Sequence, residues 1–253
     1  MNFRIFSILT FCLMCLGSTT ISAQAESGVI SFERNSNWQK IALELPYLSV
    51  EEKDRIQLTW GKSGGNITKM NLNFKDEQTL YTYAEDQGST TDGSWTWRQD
   101  EFLLTRDYAT GLQKDLVEIL GKVYLVEDSI VPVKWKILNE IKDVAGYICM
   151  KAETRDSIKN QTIHAWFTDA IPLRGGPEYL GGLPGMILEL NINNGAVVIT
   201  ATKVDLKPMP DGLGAPAKMK GKKFTQAQMN ALLVDHIKTS IEGRKNPYWG
   251  IRY

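Results

Sequence analysis

The run Met186-Ile187-Leu188-Glu189-Leu190-Asn191-Ile192-Asn193-Asn194-Gly195-Ala196-Val197-Val198-Ile199-Thr200-Ala201-Thr202-Lys203-Val204 decides how the chain is read. Two apolar, partly β-branched segments flank Asn193-Asn194-Gly195. Asn and Gly both tolerate the positive φ that a tight turn between antiparallel strands demands, so Met186–Ile192 and Val197–Val204 are predicted to form a hairpin. The same alternation recurs through the chain. Ile67–Phe74 places Met70, Leu72 and Phe74 on one face and pairs with Leu80–Ala84 across Lys75-Asp76-Glu77. Val144–Glu153 and Thr162–Thr168 form another pair across the polar segment Thr154–Asn160. Further strands are expected at Val29–Arg34, Trp95–Trp97, Glu101–Tyr108, Lys122–Glu127 and Trp135–Leu138.

Helices are few. Trp38–Leu45 and Ser49–Trp60 suit helices, the second opening on a Ser49-x-x-Glu52 capping box. Thr225-x-x-Gln228 is another such box. After it, Met229, Leu232, Leu233, His236, Ile237 and Ile241 follow the spacing of one helix face until Gly243. Roughly ten strands and a few helices make an α+β domain on a mostly antiparallel sheet, with a C-terminal amphipathic helix. Lys207–Lys223, rich in Pro, Gly and Lys, is the one linker-like stretch, and the segment C-terminal to it is too short to fold alone. A single domain over residues 26–253 is therefore expected.

Composition narrows the function. The 253 residues carry 29 basic and 29 acidic side chains, with 43% hydrophobic residues. This is a globular composition, and a net charge of zero gives no support to nucleic-acid binding. Met1–Ala25 reads as a signal peptide: Arg4 is its positive region, Ile5–Leu16 its apolar run, and Ser22-Ala23-Gln24-Ala25 its small-residue cleavage site. The run is too short to span a bilayer. Cys12 and Cys15 sit in poor contexts for lipidation. With residues 1–25 removed, Cys149 remains alone, which predicts no internal disulfide and a buried structural thiol. The mature protein is expected to be periplasmic or secreted and not transmembrane.

Five of the 21 glycines fall within Gly175–Gly185, which reads Gly-Gly-Pro-Glu-Tyr-Leu-Gly-Gly-Leu-Pro-Gly and leads into a strand. It lacks the Gly-Lys-Ser/Thr ending and the following helix of a phosphate loop. Gly175, Gly176, Pro177, Gly182, Leu183, Pro184, Gly185, Met186 and Ile187 form either a binding or docking loop or a structural corner of a curved sheet. Gly182-Leu183-Pro184-Gly185-Met186-Ile187 resembles the signature of the GLPGLI family, exported proteins of Bacteroidota. Other motifs agree in order: Asp128-x6-Trp135-Lys136-Ile137, Gly146-Tyr147-x-Cys149-x-Lys151-Ala152, Ala165-Trp166-Phe167-Thr168-x-x-Ile171-Pro172, and Gly176-Pro177. The close agreement covers Tyr124–Leu190, with a weaker likeness from Gly28. Met186 departs from the family's Leu but keeps its volume and apolarity. The resemblance implies an exported protein with no established catalytic or metal-binding residues. It implies relatives often encoded near outer-membrane transport components, and a strand pattern similar to periplasmic lipoprotein carriers, whose curved antiparallel sheet is a half-barrel around an apolar groove.

Candidate chemistry is sparse. In Thr162-Ile163-His164-Ala165-Trp166, alternation puts His164 and Trp166 on one sheet face, where His164 could act as ligand or base or simply be hydrogen-bonded. His236 lies near the apolar stripe of the last helix. No metal-ligand spacing and no Gly-x-Ser-x-Gly elbow occurs, so no cofactor or metal is expected. Lys218, Lys220, Lys222 and Lys223 could meet anionic lipid or a partner, or form a solvated linker. Trp60, Trp95, Trp97, Trp135 and Trp166 are expected to fill the concave core or line a groove. The sequence thus points to a non-enzymatic envelope protein that binds a hydrophobic or peptide-like ligand, or to an accessory module of an outer-membrane assembly.

Overall fold

The computed structural model describes residues 27–60, 65–84 and 100–253. The signal segment 1–25 and the strand expected at Trp95–Trp97 lie outside these residues. The first half of the chain supplies β1 (Ser27–Ser36), α1 (Trp38–Leu43), α2 (Val50–Trp60), β2 (Asn66–Lys75), β3 (Gln78–Tyr83), β4 (Phe102–Asp107), β5 (Leu112–Ile119) and β6 (Lys122–Ser129). The second supplies β7 (Lys136–Val144), β8 (Tyr147–Asp156), β9 (Gln161–Thr168), β10 (Met186–Ile192), β11 (Val197–Leu206), β12 (Lys222–Phe224) and α3 (Gln226–Glu242). The α+β architecture on a mostly antiparallel sheet, with a C-terminal helix, is as expected.

All twelve strands join one sheet in the order β12-β6-β5-β4-β3-β2-β1-β11-β10-β9-β8-β7. Each half of the chain is an antiparallel meander, and the two meet where β1 pairs with β11. The sheet is open, not a closed barrel. One pairing departs from the antiparallel expectation: Lys222–Phe224, which overlaps the end of the linker-like stretch Lys207–Lys223, runs parallel to β6. Register shifts at Ser31/Phe32, Leu138/Ile141 and Ile187/Glu189 mark bulges, which bend strands and increase twist. The two halves of the sheet consequently face one another across a shared interior.

The decisive hairpin forms as its sequence dictates. Asn193, Asn194 and Gly195 all adopt positive φ, at 45°, 51° and 87°. Both capping boxes are made. Ser49 and Glu52 exchange side-chain to backbone bonds of 2.8 and 3.2 Å, and Thr225 and Gln228 do the same at 2.9 and 3.2 Å. Sequence reading missed β5 and shortened β7, which runs from Lys136 to Val144 and turns into β8 at Ala145-Gly146.

The core is a single cluster in which Ile30, Phe32, Met70, Leu72, Phe74, Tyr81, Phe167, Met186 and Ile199 are almost wholly buried. Full burial of each such side chain is worth roughly 1.5–3 kcal/mol. Trp95 and Trp97 lie outside the described residues; of the other tryptophans expected in the core or along a groove, Trp60 is exposed, and Trp135 and Trp166 are partly buried and pack against the core. Phe, Tyr and aliphatic side chains, among them Phe32, Phe74, Tyr81 and Phe167, fill the interior. Cys149 is buried, and its burial pushes the thiol up to about 11, consistent with a structural role.

Candidate functional site

The inward face of the sheet is not purely apolar. Alternation along β1 places Arg34 on the same face as Ile30 and Phe32, and along β4 it places Arg106 beside Phe102 and Leu104. On β5, Gln113, Asp115 and Val117 face inward. Phe102, Arg106, Gln113, Asp115 and Val117 border a cavity of about 700 Å³ between the β4–β6 half of the sheet and the β8–β10 half, with α3 and residues 251–253 completing the wall. Phe102, Val117, Ile119, Ile163, Met229 and Leu233 give it apolar surface; Arg106, Asp115, Lys159, Gln161, Glu178 and Arg252 give it buried polarity.

Two ion-pair clusters organise that polarity. Arg106 and Asp115 form a two-pronged pair within the β4–β5 hairpin, Nη2 donating to Oδ2 at 3.1 Å. Burial pushes the Asp115 carboxyl up against the pull of Arg106. The second cluster joins distant segments. Arg252 Nε donates to Glu178 Oε2 at 2.8 Å and its Nη2 to Oε1 at 2.6 Å, while Arg34 Nε reaches Oε1 at 3.2 Å. Arg34 also bonds Ser36 Oγ and, at 3.3 Å, the backbone oxygen of Tyr253. The Arg252 guanidinium stacks over Phe102 at 4.0 Å. Burial alone raises the Glu178 carboxyl, but Arg252 and Arg34 outweigh it and hold the group below its ordinary value. Burial, and then the like charge of Arg252, lower Arg34 to about 10, so it stays protonated at neutral pH.

Glu178 comes from the Gly/Pro loop, which explains that loop's composition. Gly175, Gly176, Pro177, Leu183, Gly185, Met186 and Ile187 are buried, and Tyr179, Gly182 and Pro184 are exposed. The loop lies across the inside of the sheet, where Trp135 Nε1 donates to Gly181 O at 2.9 Å and Ile187 N to Gly175 O at 2.9 Å. A Cβ on Gly176 would lie 2.8 Å from both Ile187 Cβ and Leu180 O. Gly185 has φ +148°, and a Cβ there would stand 2.1 Å from Thr168 O. Glu178 itself is a non-glycine residue at φ +58°. Such backbone costs on the order of 1 kcal/mol or more and persists where its surroundings over-determine it; here two guanidinia hold the carboxylate. The loop thus serves as a structural corner that delivers Glu178 and Tyr179 to the cavity wall, with Tyr179, Gly182 and Pro184 reaching solvent.

The other residues singled out from sequence lie elsewhere. His164 and Trp166 do share a face, with Ile163, Ala165 and Phe167 buried opposite. That face is the outer one. His164 Nε2 stands 3.1 Å from Glu153 Oε2, and Trp166 lies under the ammonium groups of Lys142 and Lys151 at 4.5 and 5.6 Å. Neither residue lines the cavity. His236 Nε2 lies 3.0 Å from Pro247 O. Lys218, Lys220, Lys222 and Lys223 are exposed. Among the described residues, no group of three or more His, Cys, Asp or Glu is placed to hold a metal ion, and no helix is long and apolar enough to cross a membrane.

Sequence reasoning missed Arg34, Arg106, Asp115, Lys159, Gln161, Glu178 and Arg252. A signal existed for some. Ile30-x-Phe32-x-Arg34 and Phe102-x-Leu104-x-Arg106 each continue an inward-facing row into a charge, which is an exposed residue only if the strand ends there.

The model of the family described as N-glycanase peptide, N-terminal domain, matches residues 89–223, just over half of the chain. The chain belongs to this family. The portion matched by the N-glycanase peptide, N-terminal domain, model contains Arg106, Asp115, Lys159, Gln161 and Glu178; Arg34, α3 and Arg252 lie outside it. Solved structures of PNGF-II share the fold. The one in the P21 space group aligns with a TM-score of 0.55 at 16% identity, covering 83% of this chain and 33% of that one. The one in the C2 space group gives 0.53 at 15% identity with the same coverage. The chain therefore spans about a third of PNGF-II's length. No curated protein matches the sequence.

Proposed function

We propose that this N-glycanase peptide, N-terminal domain, family member is a non-enzymatic binding protein of the cell envelope, and that its ligand occupies the cavity between the two halves of the sheet. The observation that carries this reading is the cavity itself. At about 700 Å³ it falls within the range of small-molecule sites, with apolar walls and a few convergent polar groups. Its charged side chains are engaged in pairing one another, as Arg106 with Asp115 and Glu178 with Arg252 are, rather than in orienting a nucleophile. His164, the candidate base from sequence, stands on the outer face beside Glu153. The ligand is hydrophobic or peptide-like, and the export of the protein rests on the signal-like segment 1–25 and the resemblance to the GLPGLI family.

Native mass spectrometry of the protein purified gently from its own source tests this. A reproducible extra mass that extracts into organic solvent is expected. A clean apo mass, together with no uptake of apolar probes by the purified protein, overturns it. One observation favours a second reading: the family to which the chain belongs is described as an N-terminal domain of N-glycanase peptide. On that reading it is an accessory module that assembles with a separate partner, either a glycanase-type chain or an outer-membrane component. In-cell crosslinking that repeatedly recovers one envelope protein is the expected result there, and recovery of the protein alone refutes it.

A further inference from the structure

One pole of the cavity carries unbalanced charge. Arg34 and Arg252 share the Glu178 carboxylate, and Lys159 adds a third positive group. The Lys159 ammonium makes one hydrogen bond, to the backbone carbonyl of Arg252 at 2.7 Å. Among the described residues it has no carboxylate within ion-pair distance. Asp156, on the same turn, uses its Oδ1 on the amides of Ile158 and Lys159 at 2.7 and 3.1 Å. Two residues further on, Gln161 is 2% exposed, and its Nε2 is buried without a hydrogen-bond partner. The Tyr253 phenol oxygen, which accepts from Asn193 Nδ2 at 2.6 Å, lies close enough to act electrostatically with Gln161, without a well-formed bond to its Nε2. Lys159 and Gln161 therefore line the same cavity and lie against the same segment, Arg252-Tyr253.

A buried donor without an acceptor costs free energy, and a part-buried cation whose nearest carboxylates, Asp156 and Glu178, make no direct ion pair with it gains from an anion brought close. A single ligand group would relieve both if it were anionic and offered two acceptor oxygens. The guanidinia are already taken by Glu178, so one ammonium and one amide remain. That donor set suits a carboxylate, which needs two partners, better than a phosphate dianion, which needs more. Val117, Ile119, Met229 and Leu233 supply apolar wall elsewhere in the cavity.

We propose that Lys159 and Gln161 form a headgroup subsite that holds the carboxylate of an amphipathic organic acid, with its apolar body along the Val117, Ile119, Met229 and Leu233 wall. This assignment rests on the cavity being a ligand site. Burial lowers the Lys159 ammonium to about 8, with Asp156 and Glu178 opposing and Arg34 and Arg252 adding to the effect. The ammonium is thus charged at pH 7 and largely neutral at pH 9.5.

The test is calorimetric titration of the full-length mature protein with decanoate, decanol and decylamine at pH 7 and pH 9.5. Decanoate is expected to bind about tenfold or more tightly than decanol, and decylamine more weakly than either. The decanoate preference should fall at pH 9.5. Lys159→Met and Gln161→Leu should each reduce the preference; Gln161→Leu should do so without lowering the thermal midpoint, since it removes a buried amide nitrogen that has no partner, whereas Lys159→Met also gives up the bond to the Arg252 carbonyl. Equal binding of the three probes, or an undiminished preference in Lys159→Met, overturns the headgroup assignment while leaving the cavity a ligand site. No binding of any probe overturns the cavity reading as well.

Discussion

Replacing Glu178 by Gln keeps the side chain's size and its backbone conformation but removes the carboxylate shared by Arg34 and Arg252. The side chains of Arg34 and Arg252 are 10% and 17% exposed, so neither can recover its hydration without the structure opening. Four charge-assisted contacts are affected, at 2.6, 2.8, 3.1 and 3.2 Å. The amide NH2 that replaces one oxygen would face guanidinium donors. Breaking a buried pair in this way costs about 3–5 kcal/mol, a large share of the 5–15 kcal/mol that holds a typical domain. The φ of +58° at residue 178 is equally strained for Gln and Glu, so backbone strain cancels in the comparison. Urea unfolding at pH 7, followed by tryptophan fluorescence, should show a lower midpoint at unchanged slope. The sign of the pH dependence is fixed as well. The folded-state value of Glu178 is depressed, so its contribution is complete above the ordinary carboxylate value near 4.5 and is lost as pH falls toward the folded value. The difference between wild type and Glu178→Gln should therefore narrow below about pH 4.5. A loss under about 1 kcal/mol at pH 7, or a gap that widens in acid, would refute the view that this carboxylate neutralises two buried cations.

Three further outcomes are expected. Gly185→Ala meets both an unfavourable φ and the Thr168 carbonyl, and should cost roughly 3 kcal/mol in the same urea assay. Cys149, buried and with its thiol raised to about 11, should not react with a disulfide reagent at pH 8 in the native state, and should react stoichiometrically in guanidinium chloride. His164→Ala should change stability by less than about 1 kcal/mol, because the pair with Glu153 is on the outer face; a larger loss by thermal denaturation would assign it a structural role not visible in its contacts.

Local signals in the sequence were reliable where a residue's own backbone preference decides the structure. Asn193-Asn194-Gly195 makes its turn, and Thr225 with Gln228 caps its helix. The misses share a physical cause, which is tertiary context overriding local pattern. Leu112–Ile119 conceals a strand because Gln113 and Asp115 point inward, where Arg106 neutralises the carboxylate. Lys136–Val144 is mostly exposed at the sheet edge, so it carries little hydrophobic alternation to read. The short parallel strand Lys222–Phe224 exists only because β6 is there to pair with it. The charged pole of the cavity was the least legible feature. Arg34 and Glu178 are 144 positions apart, and Glu178 and Arg252 are 74 apart, so no window along the chain contains the cluster.

The β1–β11 pairing has a consequence for how the chain matures. Ser31 lies opposite Lys203, and Gly28 opposite Leu206. As the polypeptide emerges from the ribosome, β1 is among the first described segments available and β11 among the last strands. β1 can pair early with β2, but its other edge, with Ile30 and Phe32 on the core face, waits for nearly the whole chain to be made. Sheet completion is therefore a late, long-range closure, slow relative to the local hairpins that assemble each half. During that interval an unpaired strand edge with apolar flanks is open to other chains, and a holding chaperone that masks residues 27–36 would have most to protect in this protein.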